Sequence, residues 1–309
     1  MRWWIRPLVR LLAAIGLPLA VPALITAALW LLPGDPAEIV CPPGLCDATQ
    51  ALAERWELHR GPVHFYTRWL QGAVVGEFGR SWRVAQGIPV AELLWESLPN
   101  TSVLVGLAVL PMLIGGLLAA FDVLPRRLDV VWQGFGLVPA VILALVCAAF
   151  VQIRYGALSY DGWPGTLRLL LGALVLGIAD GALAGAIVGT RSVFSAERRQ
   201  RYLQFAVLRG ESALANALPN VLPALLGQLR ARVLHVLSGA VVVEVVLGIP
   251  GLGELLWDGT LLQDFGVVLP AAWAFSLLAG ALLFVQGVGE IVVAWQVRRV
   301  PAGVVEGGA

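Results

Sequence analysis

The stretch "VVVEVVLGIPGLGE", Val241 to Glu254, sets a carboxylate inside an apolar run and then breaks that run with Pro-Gly-Leu-Gly. A buried carboxylate is costly unless it is neutral or paired, so the meaning of Glu244 depends on its surroundings: protein core, water channel or lipid.

Working outward, composition favours a membrane. Of the 309 residues, 59% are hydrophobic and 13% charged, with a strongly positive mean hydropathy. That excludes an ordinary soluble domain. Uncharged stretches recur at about the 20 residues that a helix, rising about 1.5 Å per residue, needs to cross roughly 30 Å of hydrocarbon. They fall near Leu11–Leu32, Leu98–Phe121, Val130–Val151, Leu169–Thr190, Leu229–Leu247 and Phe265–Val297. The chain reads as all-α and polytopic, with about six transmembrane helices. The first, second, third and sixth contain uninterrupted apolar runs. The fourth is interrupted by Asp180, and the fifth is flanked by Arg230 and Arg232 and carries Glu244.

Orientation rests on arginine alone, because all 21 basic residues are Arg. With a cytoplasmic N-terminus, 14 of them lie inside and seven outside, and five of those seven sit in the long segment Pro33–Ser97, where the positive-inside rule is weak. Both termini are expected to be cytoplasmic. A secretory signal peptide is the alternative for the N-terminus, but the apolar run is too long for one and no convincing small-x-small cleavage site precedes "PGDPAE". Residues 1–32 are therefore read as a short cytoplasmic start and a retained first helix, and 33–97 as an outer segment.

In that outer segment "LLPGDPAEI" ends the first helix, since proline lacks an amide donor and glycine permits a tight turn. "HFYTRWLQGAVVGEFGRSW" reads as an interfacial helix and turn, with Trp69 and Trp82 suited to a membrane boundary. Cys41 and Cys46 flank Pro-Pro-Gly-Leu; on an oxidising side they can close a small disulfide loop, and free thiols are the alternative. Cys147 reads as a small apolar helix residue.

The largest inner loop, near 191–228, is basic early, then helix-prone, then interrupted by glycine and two Leu-Pro pairs, so short helices outside the bilayer are expected there. The arginines also suit anionic lipid. Catalysis finds little support. His59, His64 and His235 form no ligand-spaced cluster, so no catalytic or metal site is expected, and a chain without lysine cannot carry a Walker A phosphate loop. Nothing points to a nucleic acid.

At this point the residues carry a resemblance. "LLPGDPAE", "GPVHFYTRWLQGAVVGEFGRSW", "IPVAELLWESLPNTSVL", "TRSVF", "YLQFAVLRG", "GAVVVEVVLGIPGLGELL" and "QDFGVVLP" follow one another as in the inner-membrane permease subunits of binding-protein-dependent ABC importers of the dipeptide/oligopeptide type. The chain resembles that family along nearly its whole length, with a permease core over 98–300 and a tail from 301 to 309.

The resemblance implies a cytoplasmic coupling helix on which an ATPase subunit docks, with Phe205, Ala206, Arg209, Gly210 and Pro223 at its matching positions. Here the sequence departs from the pattern: the stretch from Gly210 to Pro223 is about five residues shorter than usual, and the usual basic and histidine positions are missing. Phe205, Leu208 and Leu214 supply an apolar face for docking, and the bland alternative makes Gly210 a mere helix terminator. Glu244, Pro250, Gly251, Gly253 and Asp264 become candidates for the translocation path or for helix packing; Asp180 reads rather as a structural hydrogen-bonding residue. ATP and Mg are implied only in two partner ATPase subunits, beside a second homologous permease and an extracytoplasmic substrate-binding protein. Peptides are the implied cargo, though the family also carries nickel and other small solutes. A self-contained secondary transporter or channel is the alternative, disfavoured because no internal repeat is evident. A membrane-embedded enzyme would need clustered acids or histidines at one face.

Overall fold

The computed structural model describes residues 5–40, 49–155 and 165–299. Its architecture follows from the cost of an unpaired backbone group in hydrocarbon, which leaves apolar segments only the helix as a self-satisfying form. Helix α1 (Ile5–Leu31) is followed by α2 (Pro36–Val40), α3 (Thr49–Arg55) and α4 (Pro62–Val74), then by the long α5 (Val90–Ala120). Next come α6 (Asp129–Phe135), α7 (Ala140–Tyr155), α8 (Gly165–Ile178) and α9 (Ala182–Arg198). The chain continues through α10 (Arg201–Leu208), α11 (Ala213–Leu247), α12 (Leu252–Leu261) and α13 (Phe265–Arg299). Among the described residues four helices are long and apolar enough to cross a membrane alone, and up to six spans result if each of two bent helix pairs counts as one.

Two local expectations need correction. The third apolar run is not one helix: α6 and α7 meet at 76°. Pro139 supplies the break by withholding an amide, and Gly136 lies so close to Gly181 that a side chain there would strike the Gly181 backbone. The Leu-Pro pairs of the inner loop do not interrupt it either. Pro219 and Pro223 lie inside α11, a 35-residue helix that begins at Ala213, so only α10 stands as a separate short helix. Neighbouring helices and local adjustment let a membrane helix tolerate proline that would break one in water.

The core gathers Leu104, Ala108 and Met112 of α5, Val175 and Leu176 of α8, and Val236, Ala240, Val243 and Leu247 of α11, all buried. Glycines bring the backbones together, as small residues do between membrane helices: Gly177 rests on Ala108 and Pro111, and Gly172 on Leu104, Val243 and Ile249. On the flank, α1 lies along α13, with Gly280 against Ala14 and Pro18, and Gly287 against Pro7 and Leu11.

The two ends differ in chemistry. One carries Arg191 paired with Asp129, Arg198 paired with Asp122, and a small core of Ala120, Phe194, Leu203, Ala217 and Val221 under α10. The other is aromatic, with Trp56 in ring contact with Phe65, Trp82 and Phe265, and Phe65 with Phe265.

Candidate functional site

Glu244 is fully buried near the aromatic end of α11, and both of its oxygens are satisfied. Oε1 accepts a hydrogen bond from Thr101 Oγ1 of α5 at 2.7 Å. Oε2 accepts the backbone N–H of Gly253 at 2.6 Å and of Glu254 at 3.3 Å, so the carboxylate caps the first turn of α12. The exposed amides and aligned dipoles of a helix start favour an anion there. Thr101 Oγ1 in turn accepts from Leu252 N at 2.8 Å.

The intervening turn is pinned from both sides. Asn100 Nδ2 donates to Pro250 O at 2.8 Å, and Arg168 Nη1 of α8 donates to Gly248 O at 2.8 Å. Gly248 ends α11 in the left-handed conformation, φ 61°, which favours glycine. A Cβ on Gly251 or Gly253 would enter the space of the Glu244 carboxylate, which accounts for the Pro-Gly-Leu-Gly that follows it. Sequence reasoning named Glu244, Pro250, Gly251 and Gly253 but missed Asn100, Thr101 and Arg168. The only signal was "PNTS" interrupting an otherwise apolar approach to the second helix.

Asp264, named from the same reading, does not join this site. It is buried before α13, where Oδ2 accepts from Ser81 Oγ at 2.7 Å, Trp82 N at 2.8 Å and Arg83 N at 2.9 Å. A nest of successive amides around one carboxylate fixes the turn at residues 81–83 to the start of α13. Arg83 Nη1 adds a bond to Leu262 O at 2.8 Å. Beside it, a hollow of about 490 Å³ opens between the α3–α4 segment and α13, floored by Trp56, Phe65, Trp69 and Phe78 and edged by Arg55 and Arg68.

At the arginine-rich end, α10 buries Leu203 and Ala206 and leaves Tyr202, Phe205 and Leu208 exposed, Leu208 at 80%. Leu214 turns inward onto the small core, so it adds nothing to that face. Gly210, φ 80°, terminates α10: its N–H donates to Val207 O at 2.9 Å and that of Glu211 to Ala206 O at 3.0 Å, the paired bonds of a Schellman motif. Arg209 Nε donates to Glu211 at 2.8 Å, which holds that carboxyl below its ordinary range. A hollow of about 540 Å³ beside the helix is lined by Tyr202, Phe205, Leu208, Arg209 and Asn216.

Two further polar pairs lie within the helices. Asp180 stands in the left-handed conformation, φ 51°, between α8 and α9; its N–H donates to Val138 O at 3.1 Å and its Oδ1 accepts from Ala140 N at 3.3 Å, at the start of α7. Its Oδ2 lies 3.7 Å from His235 Nε2 of α11. Arg10 of α1 pairs with Glu290 of α13, which also accepts from Gln286 Nε2 at 2.9 Å. Cys41 and Cys46 lie outside the described residues, and Cys147 is a free thiol in α7.

Comparison with known proteins fits this geometry. Residues 112–300 match the family model described as "Binding-protein-dependent transport system inner membrane component". The glutathione transport system permease protein GsiC of Escherichia coli (strain K12) is 27% identical over 280 residues, 87% of this chain and 90% of that protein. Its counterpart in Shigella boydii serotype 4 (strain Sb227) gives the same figures, 27% over 280 residues with 87% and 90% covered. The oligopeptide transport system permease protein AppB of Bacillus subtilis (strain 168) is 28% identical over 282 residues, 82% of this chain and 85% of that protein.

Proposed function

The chain belongs to the family of inner membrane components of binding-protein-dependent transport systems, and from that premise we propose that it is one permease subunit of an ATP-driven importer of short peptides. The observation that carries this reading is α10: a short helix held on a small core, with Phe205 and Leu208 presented outward, 59% and 80% exposed, beside the turn at Gly210. An exposed apolar helix face of that kind fits a cleft on another subunit.

In this reading two cytoplasmic ATPase subunits bind ATP and Mg, this chain supplying no ATPase site, and one of them receives α10. A second, similar permease completes the pathway, and both termini lie in the cytoplasm with the arginine-rich end. An outer binding protein delivers cargo to the aromatic end, where the outer turn is fixed by Asp264. ATP-driven closure moves α10, and with it α11, which begins only five residues beyond Leu208. Because Glu244, Thr101 and Asn100 lock the far end of α11 to α5 and α12, the motion passes to the outer side as a rigid tilt rather than being absorbed at the Gly248 turn.

The test is co-purification and uptake. Solubilised native complex brings down a nucleotide-binding subunit, and reconstituted complex imports a labelled dipeptide on addition of ATP. A chain isolated under mild conditions with no nucleotide-binding subunit would overturn the reading.

A further inference from the structure

The Asp180–His235 pair is not needed by any step above, yet it sits where charge is expensive. His235 is 22 residues from the start of α11 and 12 from its end, about 18 Å from the aromatic end at about 1.5 Å per residue. The side chains of His235 and Asp180 are 48% and 34% exposed. Lipid contact at this depth would cost an acid about 2.5–3.5 kcal/mol on the insertion scale.

The exposed surface around the pair does not have a lipid-facing composition. From Pro223 to Leu247 the exposed positions of α11 are Ala224, Ala231, His235, Ser238 and Val242, spaced by seven, four, three and four residues on one stripe. The exposed positions of α7 include Val141, Ile142, Leu145, Val146, Phe150 and Ile153, large and apolar as a lipid contact requires. Nor is the pair a closed structural bridge. Oδ1 of Asp180 caps α7, while among the described residues Oδ2 faces the imidazole at 3.7 Å, beyond hydrogen-bond reach. The nearby guanidinium of Arg232 is turned to Gly181 O at 3.3 Å and packs on Gly185.

We propose that Asp180 and His235 line the translocation path and contact the cargo there, Asp180 Oδ2 accepting from the protonated amino terminus of a passing peptide and an imidazole N–H of His235 donating to its first carbonyl oxygen. The assignment rests on the importer reading above and names the side chains that such an importer uses. An α-amino group, with a pKa of about 8, is a cation at neutral pH, and the part-exposed carboxylate of Asp180 is suited to it. The two breaks, Gly136–Pro139 and Asp180–Gly181, serve this site: they turn backbone away and leave Asp180 at the surface of α11 rather than inside a helix stack.

Thiol labelling of the assembled transporter in proteoliposomes tests this, in a parent whose Cys41, Cys46 and Cys147 are replaced by serine. His235→Cys and Ser238→Cys react with a membrane-impermeant thiol reagent at least about tenfold faster than Val146→Cys, and Ala-Ala slows the reaction where N-acetyl-Ala-Ala does not. Asp180→Asn, which keeps an oxygen for Ala140 N–H, raises half-saturation for Ala-Ala about tenfold or more and leaves ATPase co-purification unchanged. Labelling of His235→Cys no faster than Val146→Cys, or equal protection by both peptides, overturns the proposal. If the parent still imports Ala-Ala in that case, the importer reading stands and only the site falls; if the parent imports none, the reading itself fails.

Discussion

Glu244 and Thr101 are 143 residues apart in sequence and 2.7 Å apart in the fold, joined by the hydrogen bond that ties α11 to α5. Thr101 also accepts from Leu252, so one hydroxyl and one carboxylate together hold three helices.

Removing that carboxylate orphans buried donors. Glu244→Ala is expected to destabilise the detergent-solubilised chain by about 1–3 kcal/mol for each donor left without an acceptor, and Glu244→Gln by less, since an amide oxygen can still accept. Thermal unfolding compares them. ATPase association stays near the parent level, because the site lies at the end of α11 remote from α10.

Gly251→Ala places a methyl in the carboxylate's space and is expected to cost about 1–3 kcal/mol by overpacking. In the background of Glu244→Ala the same substitution costs distinctly less. A double-mutant cycle measures this, and simple additivity would show that Gly251 is there for another reason.

Asp264→Ala should free the turn at residues 81–83 without unfolding the spans. Ser81, Trp82 and Arg83 lose their common acceptor, so limited proteolysis between residues 79 and 88 accelerates while α13 stays protected. Equal cleavage of parent and variant would show that the turn is held by other contacts.

At the arginine-rich end, Leu208→Glu is expected to abolish ATPase co-purification with little change in the unfolding of the isolated chain, since the side chain is 80% exposed. A Cβ at position 210 would meet no atom within 4 Å, so the cost of Gly210→Leu comes first from the left-handed backbone, about 1–2 kcal/mol, and appears as weaker ATPase association and lower uptake. Retention of both at the parent level would move the docking surface elsewhere.

Asp122 anchors Arg198 next to α10, and that hydrogen bond is the largest cause holding its carboxyl below the ordinary value of 3.8. With the folded value depressed, the link's contribution is present above the ordinary value and is lost as pH falls through the folded one. Hydrogen exchange over residues 201–208 is expected to be insensitive to mild acidification and to rise on Asp122→Asn.

Apolar runs made the spans legible, because length and hydropathy are local properties. Glu244 and its glycines were legible for the same reason, a charge and a turn within one short window. Their partners were not: Thr101, Asn100 and Arg168 reach the turn across 80 to 150 residues, a distance that no local pattern encodes. The α6–α7 bend was written as Gly136 and Pro139, yet an apolar average over the window hides two breakers. Pro219 and Pro223 misled in the opposite direction, since their water-phase meaning fails in a packed membrane helix. Gly210 was singled out from the pattern, but only the φ of 80° and its two amide bonds give the reason for glycine.

The pairing of α1 with α13 sets an order on synthesis. Arg10 and Glu290 are 280 residues apart, so at about 5–20 residues per second the ribosome needs roughly 14 to 56 s to make the acid after the base. Throughout that interval α1 has no Gly280 or Gly287 to lie against, and its long polar side chain must reach for the membrane surface. Until α13 is made, α1 has only the early hold of α4, where Tyr66 Oη donates to Leu19 O at 2.8 Å, so one flank of the helix waits in the membrane for a partner encoded 280 residues later.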